Sequence, residues 1–536
     1  MLMPSRVLTI GLDAAESTLL ERWSAEGRLP ALAALAATGP KWRLGTPLET
    51  LPGAIWPEIE TGRSCGRSAQ FFHPDQLHTG EGRLRPLTRE DIGPEHYYWS
   101  VASRAGCRVA VIDPPHSVSA GDLNGVELLQ WGTHDRVYPL AAQLPGRYAA
   151  LLAERGRYPV YSCDRYRSGR GGEERLLADL LRGVERKRGF LLDLLRSEHW
   201  DLFACELSES HCIGHHFWHF LDASHPDHDP RAPLRLRDAI TTVYAGLDET
   251  VGALIDAAGG DCTTLVFASH GMGPLVGGYL LLWEVLVRLG MGSDAGAARA
   301  STVRRIQYAL KDRVPIEWVP CAQNVARIAP LRRLLERAGC PAFPLESPRT
   351  RAAPIPNNRV GAIRLNLAGR EPQGCVAPGR EAESLVQELR AELLALEHPE
   401  RGEPIVARVV TANEAFGADH HPDVPDLMVV FRTDLGAIEA CHSPRVGFVR
   451  APVRNARIDR SGDHTPESRL WAVGPGIASG GAPSQAHVLD IAPTVLALLG
   501  VPLPAGIDGR ALDLSSGQHA PGPPSSALPS GDPPPA

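Results

Sequence analysis

The stretch HCIGHHFWHF, residues 211–220, sets His211, His215 and His219 four residues apart, with His216 beside them. Four residues make about one turn of an α-helix, so His211 and His215 share a face and can clamp one divalent metal ion. Phe217, Trp218 and Phe220 supply an apolar side to the same helix. His219, His225 and His228 lead into the Asp- and Pro-rich LDASHPDHDP and are expected to hydrogen-bond locally or face solvent. Polar residues at the ends of strand-like runs extend the set: Asp13 in IGLDAAES, Ser269 and His270 in FASHGMGP, and His464 in SGDHTPES. Taken singly, each reads equally well as a helix cap or a turn residue. Brought together by a sheet, they would make a metal pocket.

The elements needed to gather them are legible. RVLTIGLD (6–13), CRVAVIDPP (107–115), DLFACELSE (201–209), TTLVFASHG (263–271), DLMVVFR (426–432) and RLWAVGPG (469–476) are short apolar runs separated by helical pattern. The fold class is therefore α/β, with a mostly parallel central sheet and helices on both faces. In such sheets ligands sit beyond the carboxyl ends of the strands, where the sequence places Asp13, Glu206, Glu209, Ser269 and His270. Between 275 and 360 the strand rhythm gives way to helices split by prolines, so an inserted cap is expected there, with 1–274 and 361–513 forming the core. Residues 514–536, rich in Pro, Ser and Gly, cannot bury enough apolar surface to order and are expected to be a disordered tail.

Composition narrows the function classes. The chain has 536 residues, 43% of them apolar, and a formal charge of −7 without a basic stripe, which argues against a nucleic-acid polymer or an anionic membrane as partner. Its ten cysteines are neither dense nor regularly spaced, which suits a reducing cytoplasm, and no bridge can be assigned to Cys205 and Cys212. MLMPSRVLTIGLD enters a strand almost at once, so no secretory leader is expected. YLLLWEVLVRLGMG is interrupted by Glu284 and Arg288 and reads as an amphipathic helix too short to span a bilayer.

The order of these segments resembles the alkaline phosphatase superfamily, in the branch of type I phosphodiesterases and nucleotide pyrophosphatases and their phosphohydrolase or phosphomutase relatives. GLDAAES, GRLPALAALAATG, TLPGAIWPEIETG, SESHCIGHHFW, SHGMGP, IRLNLAGREPQGCVAPG, PDLMVVF, GDHTPESRLWAVGPGI and LDIAPTVLALLGVPLPAGIDGRAL carry the likeness across residues 6–512. The resemblance implies an alkaline-phosphatase-like fold with up to two divalent metals around a Thr or Ser nucleophile. Carried over by position, one metal would take Asp13, Thr50, Ser269 and His270, and the other His211, His215 and His464. Where relatives carry Asp in D-x-x-x-H and S-D-H-G, this chain has His211 and Ser269. Both changes remove negative charge and favour Zn²⁺ over Mg²⁺ as the cofactor, bound as one ion or two.

The expected activity is metal-dependent hydrolysis of a small-molecule phosphate ester, a diester or pyrophosphate rather than a monoester. Thr50, followed by Leu51 and Pro52 in the manner of the family's Thr-x-Pro, is the candidate nucleophile, with a metal-bound hydroxide as the other possibility. His134 and Asp135 in QWGTHDR are candidate substrate contacts, and Arg364 and Arg370 are expected to pair with Glu371 or another carboxylate. Two other readings stand beside this one. GRSCG, residues 62–66, matches the G-x-S-x-G elbow of serine hydrolases, which would make Ser64 a nucleophile. Loss of two acidic ligands could instead leave a phosphate-ester binder or partner subunit.

Overall fold

The computed structural model describes residues 6–49, 52–71, 75–78, 83–134, 136, 138, 140–166, 171–292, 345, 347–355, 359–450, 460–480 and 483–515. It divides into two compact units: Met1–His73, Leu87–Leu275 and Ala456–Pro524 form the first, while Pro74–Pro86, Val276–Asn455 and Ser525–Ala536 form the second. The second unit thus continues past the expected end of the insertion at 360. The tail from 516 onward, and 293–344 of the expected cap, lie outside the described residues.

The first unit is built on a nine-stranded sheet. In order across the sheet the strands are Ser484–His487, Lys41–Gly45, Ser468–Val473, Cys262–Ala268, Arg6–Leu12, Leu202–Leu207, Val109–Ile112, Gly125–Leu129 and Ala141–Gln143. The five from Cys262–Ala268 to Gly125–Leu129 are mutually parallel. Ser468–Val473 runs antiparallel to both its neighbours. Alternate side chains feed opposite faces: Leu8, Ile10 and Leu12 enter one apolar layer with Ala110 and Ile112, whereas Val7, Val109 and Val111 enter the other. Burial on both faces explains why these strands read as continuous apolar runs rather than alternating ones.

Register is what matters for chemistry. Leu12 pairs with Leu207 and with Ala268, and Ile112 pairs with Cys205. The residues that follow, Asp13, Ser208, Ser269 and Asp113, therefore emerge along one edge of the sheet.

The second unit has its own four-stranded antiparallel sheet, in the order Ala352–Ile355, Gly361–Leu365, Leu427–Phe431, Val406–Thr411. Helix Arg380–Leu394 packs on it, burying Leu385, Leu389 and Leu393. The run DLMVVFR thus belongs here and not to the parallel sheet; an apolar run of five buried residues fits either setting. Arg364 is fully buried on Glu371 at 2.8 Å, and Arg370 holds Asp426 at 2.7 Å, so both arginines are structural. Among the described residues, no helix is long and apolar enough to cross a membrane. YLLLWEVLVRLGMG forms a 3₁₀ turn at Gly278–Leu281 followed by helix Leu282–Arg288.

Candidate metal centre

HCIGHHFWHF lies in helix Glu209–Leu221, which leaves the carboxyl end of strand Leu202–Leu207. Every residue from Glu209 to Trp218 is buried, so the helix presents polar faces as well as apolar ones to the interior. Ser210 donates to the carbonyl of Asp13 at 2.6 Å, tying the helix start to the end of the first strand. Opposite the helix, Gly271–Pro274 pairs antiparallel with Gly462–Thr465, placing His464 across from Met272. A Cβ on Gly462 would fall 2.3 Å from the Gly214 carbonyl oxygen. Only glycine permits that approach, and the approach brings His464 against the helix.

Four of the predicted histidines converge. His211 Nε2 and His464 Nε2 are 2.9 Å apart, so one ring carries the proton there and the other accepts it. Ring centroids of His270 and His464 lie 4.6 Å apart, and those of His215 and His464 4.8 Å. Ligand-type nitrogens of His211, His270 and His464 all lie within 4.8 Å of one another, as do those of His134, His211 and His215. His270 thus joins His211 and His464, and His215 lies beside the same pair, its ring centroid 4.5 Å from that of His211 and 4.8 Å from that of His464. His215 Nδ1 lies 2.8 Å from the Gly462 carbonyl and therefore carries its proton. Its Nε2 then accepts from Arg460 Nη1 at 3.3 Å, since a guanidinium has no acceptor.

Burial, reinforced by neighbouring rings, pushes the His211 and His464 pKa values well below the ordinary histidine value; for His215 burial and Arg460 do the same. His270, buried and near His116 and His134, is pushed down to about 3. All four rings are uncharged at neutral pH, the form that binds a metal.

Asp13 follows the first strand and is buried, which raises its pKa; hydrogen bonds from Trp56 and Ser269 oppose that rise. Trp56 Nε1 donates to Asp13 Oδ1 at 2.8 Å. Ser269 Oγ is committed three ways: it accepts from Ala14 N at 3.2 Å, stands 3.2 Å from Asp13 Oδ1, and lies 2.9 Å from His270 Nδ1. The consistent assignment has His270 Nδ1 donating to Ser269 and Ser269 donating to Asp13, which leaves the His270 Nε2 lone pair open. The expected serine ligand is thus engaged in orienting a histidine.

The donor set fits a metal. His211 Nδ1, His464 Nδ1 and His270 Nε2 are buried with no hydrogen-bond partner among the described residues. Each such atom costs about 1–3 kcal/mol unless something satisfies it. Neutral imidazoles in this number suit a borderline-soft cation such as Zn²⁺.

Other predicted residues sort as follows. His134 is at the site rather than on a free loop: its ring centroid is 3.7 Å from that of His211. Asp135 and Thr50 lie outside the described residues. Thr50 follows the turn Pro47–Glu49, where Leu48 takes φ 45°, and precedes helix Pro52–Thr61. A leucine in left-handed backbone is uncommon, and such strain clusters at functional turns. Ser64 does not form an elbow. Helix Pro52–Thr61 precedes it instead of a strand, and its hydroxyl caps the short helix Cys65–Ser68 by accepting from Gly66 N at 3.2 Å. His219, His225 and His228 hydrogen-bond to Ser461 Oγ, the Ser461 carbonyl and the His219 carbonyl respectively. Cys205 and Cys212 are both buried, and no disulfide joins them.

Three participants escaped the sequence reading: Trp56, Arg460 and Asp164. Arg460 grips Asp164 with two hydrogen bonds of 2.8 and 2.6 Å, across 296 positions of chain. Nothing local in the sequence signals such a pair.

Fold and site together define an α/β protein whose parallel strands deliver a buried, uncharged histidine cluster to their carboxyl ends. The model of the type I phosphodiesterase / nucleotide pyrophosphatase family matches residues 7–445, and the chain belongs to that family. Among solved structures it is similar to human ectonucleotide pyrophosphatase / phosphodiesterase 5 (ENPP5, NPP5), at 11% identity and a TM-score of 0.47, covering 94% of this chain and 97% of that one. No curated protein matches the chain.

Proposed function

We propose that this protein hydrolyses a small-molecule phosphate diester or pyrophosphate with the help of a divalent ion, Zn²⁺ in preference to Mg²⁺. The observation that carries the reading is the cluster of His211, His270 and His464, neutral, buried and with unsatisfied ring nitrogens, in a family of phosphodiesterases. These three residues would hold the ion, which when bound would polarise a phosphoryl oxygen and offset its developing charge. Asp13 and Ser269 fix the His270 tautomer, and Trp56 fixes Asp13. Thr50 is the proposed nucleophile, by its place between the Leu48 turn and a helix whose N-terminus favours an anion. His134 and Asp135 stay as proposed substrate contacts.

One observation favours a second reading. Arg460 occupies the His215 Nε2 lone pair, and two acidic ligands of the family pattern are missing, which suits a protein that binds a phosphate ester without turning it over. Hydrolysis of an aryl phosphate diester and the matching monoester, before and after chelation, separates the two. Chelator-sensitive diester turnover that falls by about 10²-fold or more in His464→Ala supports the hydrolase. Metal retained without turnover supports the binder, and turnover indifferent to chelator defeats both.

A further inference from the structure

The helix that supplies His211 and His215 carries a second pair with the same spacing, Cys212 and His216, displaced by one residue and therefore by about 100° around the axis. Its first member meets donors from two other segments. His134 Nδ1 lies 3.2 Å from Cys212 Sγ and 3.5 Å from Cys163 Sγ. All three donor atoms fall within 4.8 Å of one another. Cys163, on the turn Cys163–Arg165, is fully buried, and Cys212 is 4% exposed. Neither is in a disulfide.

We infer that Cys163, Cys212 and His134 form a separate site for one thiophilic divalent cation of the zinc class. With metal–sulfur bonds near 2.3 Å and metal–nitrogen bonds near 2.0 Å, the sulfur-to-nitrogen edge of a tetrahedron is about 3.5 Å. The observed edges of 3.2 and 3.5 Å need little adjustment to reach it. Two thiolates and one imidazole neutralise a divalent charge and leave a fourth position open, the pattern of sites that take water or a substrate group. The surroundings supply outer support. His216 stands 3.3 Å from Asp164, which Arg460 in turn grips at 2.6 Å, and the group His216, Asp164 and Cys163 is itself compact. That chain orients the imidazole beside Cys163, as outer partners do around bound metals. The site shares no donor with the His211, His270 and His464 cluster but takes His134 from the proposed substrate contacts, so its test reads metal binding at the two cysteines and not hydrolysis.

Cobalt substitution tests it on the full chain. Metal-stripped protein reloaded with Co²⁺ is expected to show a near-ultraviolet sulfur-to-cobalt charge-transfer band. The band should survive in His270→Ala and Cys441→Ser and be lost in Cys163→Ser and Cys212→Ser. A measurement without mutation accompanies it: Cd²⁺ should slow alkylation of Cys163 and Cys212, mapped by mass spectrometry, at least tenfold while leaving Cys441 unchanged. Absence of the band in the wild-type chain, its persistence in both cysteine variants, equal labelling rates with and without Cd²⁺, or a Cys163–Cys212 disulfide in the purified protein would each overturn the inference.

Discussion

Two polar clusters sit at the carboxyl ends of the same parallel strands, and they solve opposite problems. In one, Lys187 is wholly buried among Asp113, Glu206 and Glu209, donating to the carbonyls of Gly132 and Glu206 at 3.0 and 3.1 Å. Burial alone would strip its proton, but those carboxylates outweigh burial and raise its pKa. In the other, His211, His270 and His464 are neutral and leave ring nitrogens without partners. The first cluster carries its cation on a side chain; the second offers uncharged ring nitrogens instead. Buried polarity by itself therefore says little about function.

The largest expected effect breaks the built-in ion. Lys187→Met leaves three carboxylates facing one another in a buried space, and should destabilise the fold by about 3–5 kcal/mol in urea unfolding, with or without Zn²⁺. Zn²⁺ rescue of that variant would mean that the two clusters are not distinct in kind.

A smaller effect concerns acid. His270 has a native pKa of about 3 against an ordinary 6.5. Between those values the unfolded chain binds a proton that the native ring refuses, so stability is present above 6.5 and is lost as pH falls toward 3. One such histidine contributes a slope of up to about 1.4 kcal/mol per pH unit. Chelated protein should therefore lose stability between pH 6.5 and 5, and His270→Gln should lose roughly 2 kcal/mol less over that interval. Identical slopes in the two proteins would place a proton, not a lone pair, at the centre of the cluster.

What the sequence disclosed follows from how far each signal reaches. The strands ending at Leu12, Leu207 and Ala268 and the helix over 211–220 were legible because apolar runs and four-residue spacing are local properties. Lys41–Gly45 and the edge strand Ala141–Gln143 were not, being short and partly polar. DLMVVFR was legible as a strand but not as a member of the second sheet, because partner choice leaves no mark on five consecutive apolar residues. The histidines of the site could be named from the family pattern. Their grouping could not, since it depends on Gly214 meeting Gly462 and on Arg460 turning towards His215. The Cys212 and His216 spacing was in plain view; its partner Cys163, 49 residues earlier, was not.

The mildest change discriminates most finely between the two clusters. Ser269 links Asp13 to His270, a role for which Lys187 needs no counterpart because an ammonium has no tautomer to fix. Ser269→Ala removes a hydroxyl from a buried site and should leave the fold intact. His270 Nδ1 then loses its acceptor and the neutral ring is free to carry its proton on Nε2, so metal binding must first move that proton to Nδ1, where no hydroxyl now accepts it. Zn²⁺ affinity should fall about tenfold, the usual lower bound for an outer hydrogen-bond partner. The loss should be the same at pH 6 and pH 8, because moving a proton between the two nitrogens of a neutral ring takes none from solution. Ser269→Thr retains the hydroxyl and should restore the affinity. If Ser269 were instead a direct ligand bound as the alkoxide, alanine would cost more affinity at pH 8 than at pH 6, so titrating Zn²⁺ into both variants at the two pH values decides which part the serine plays.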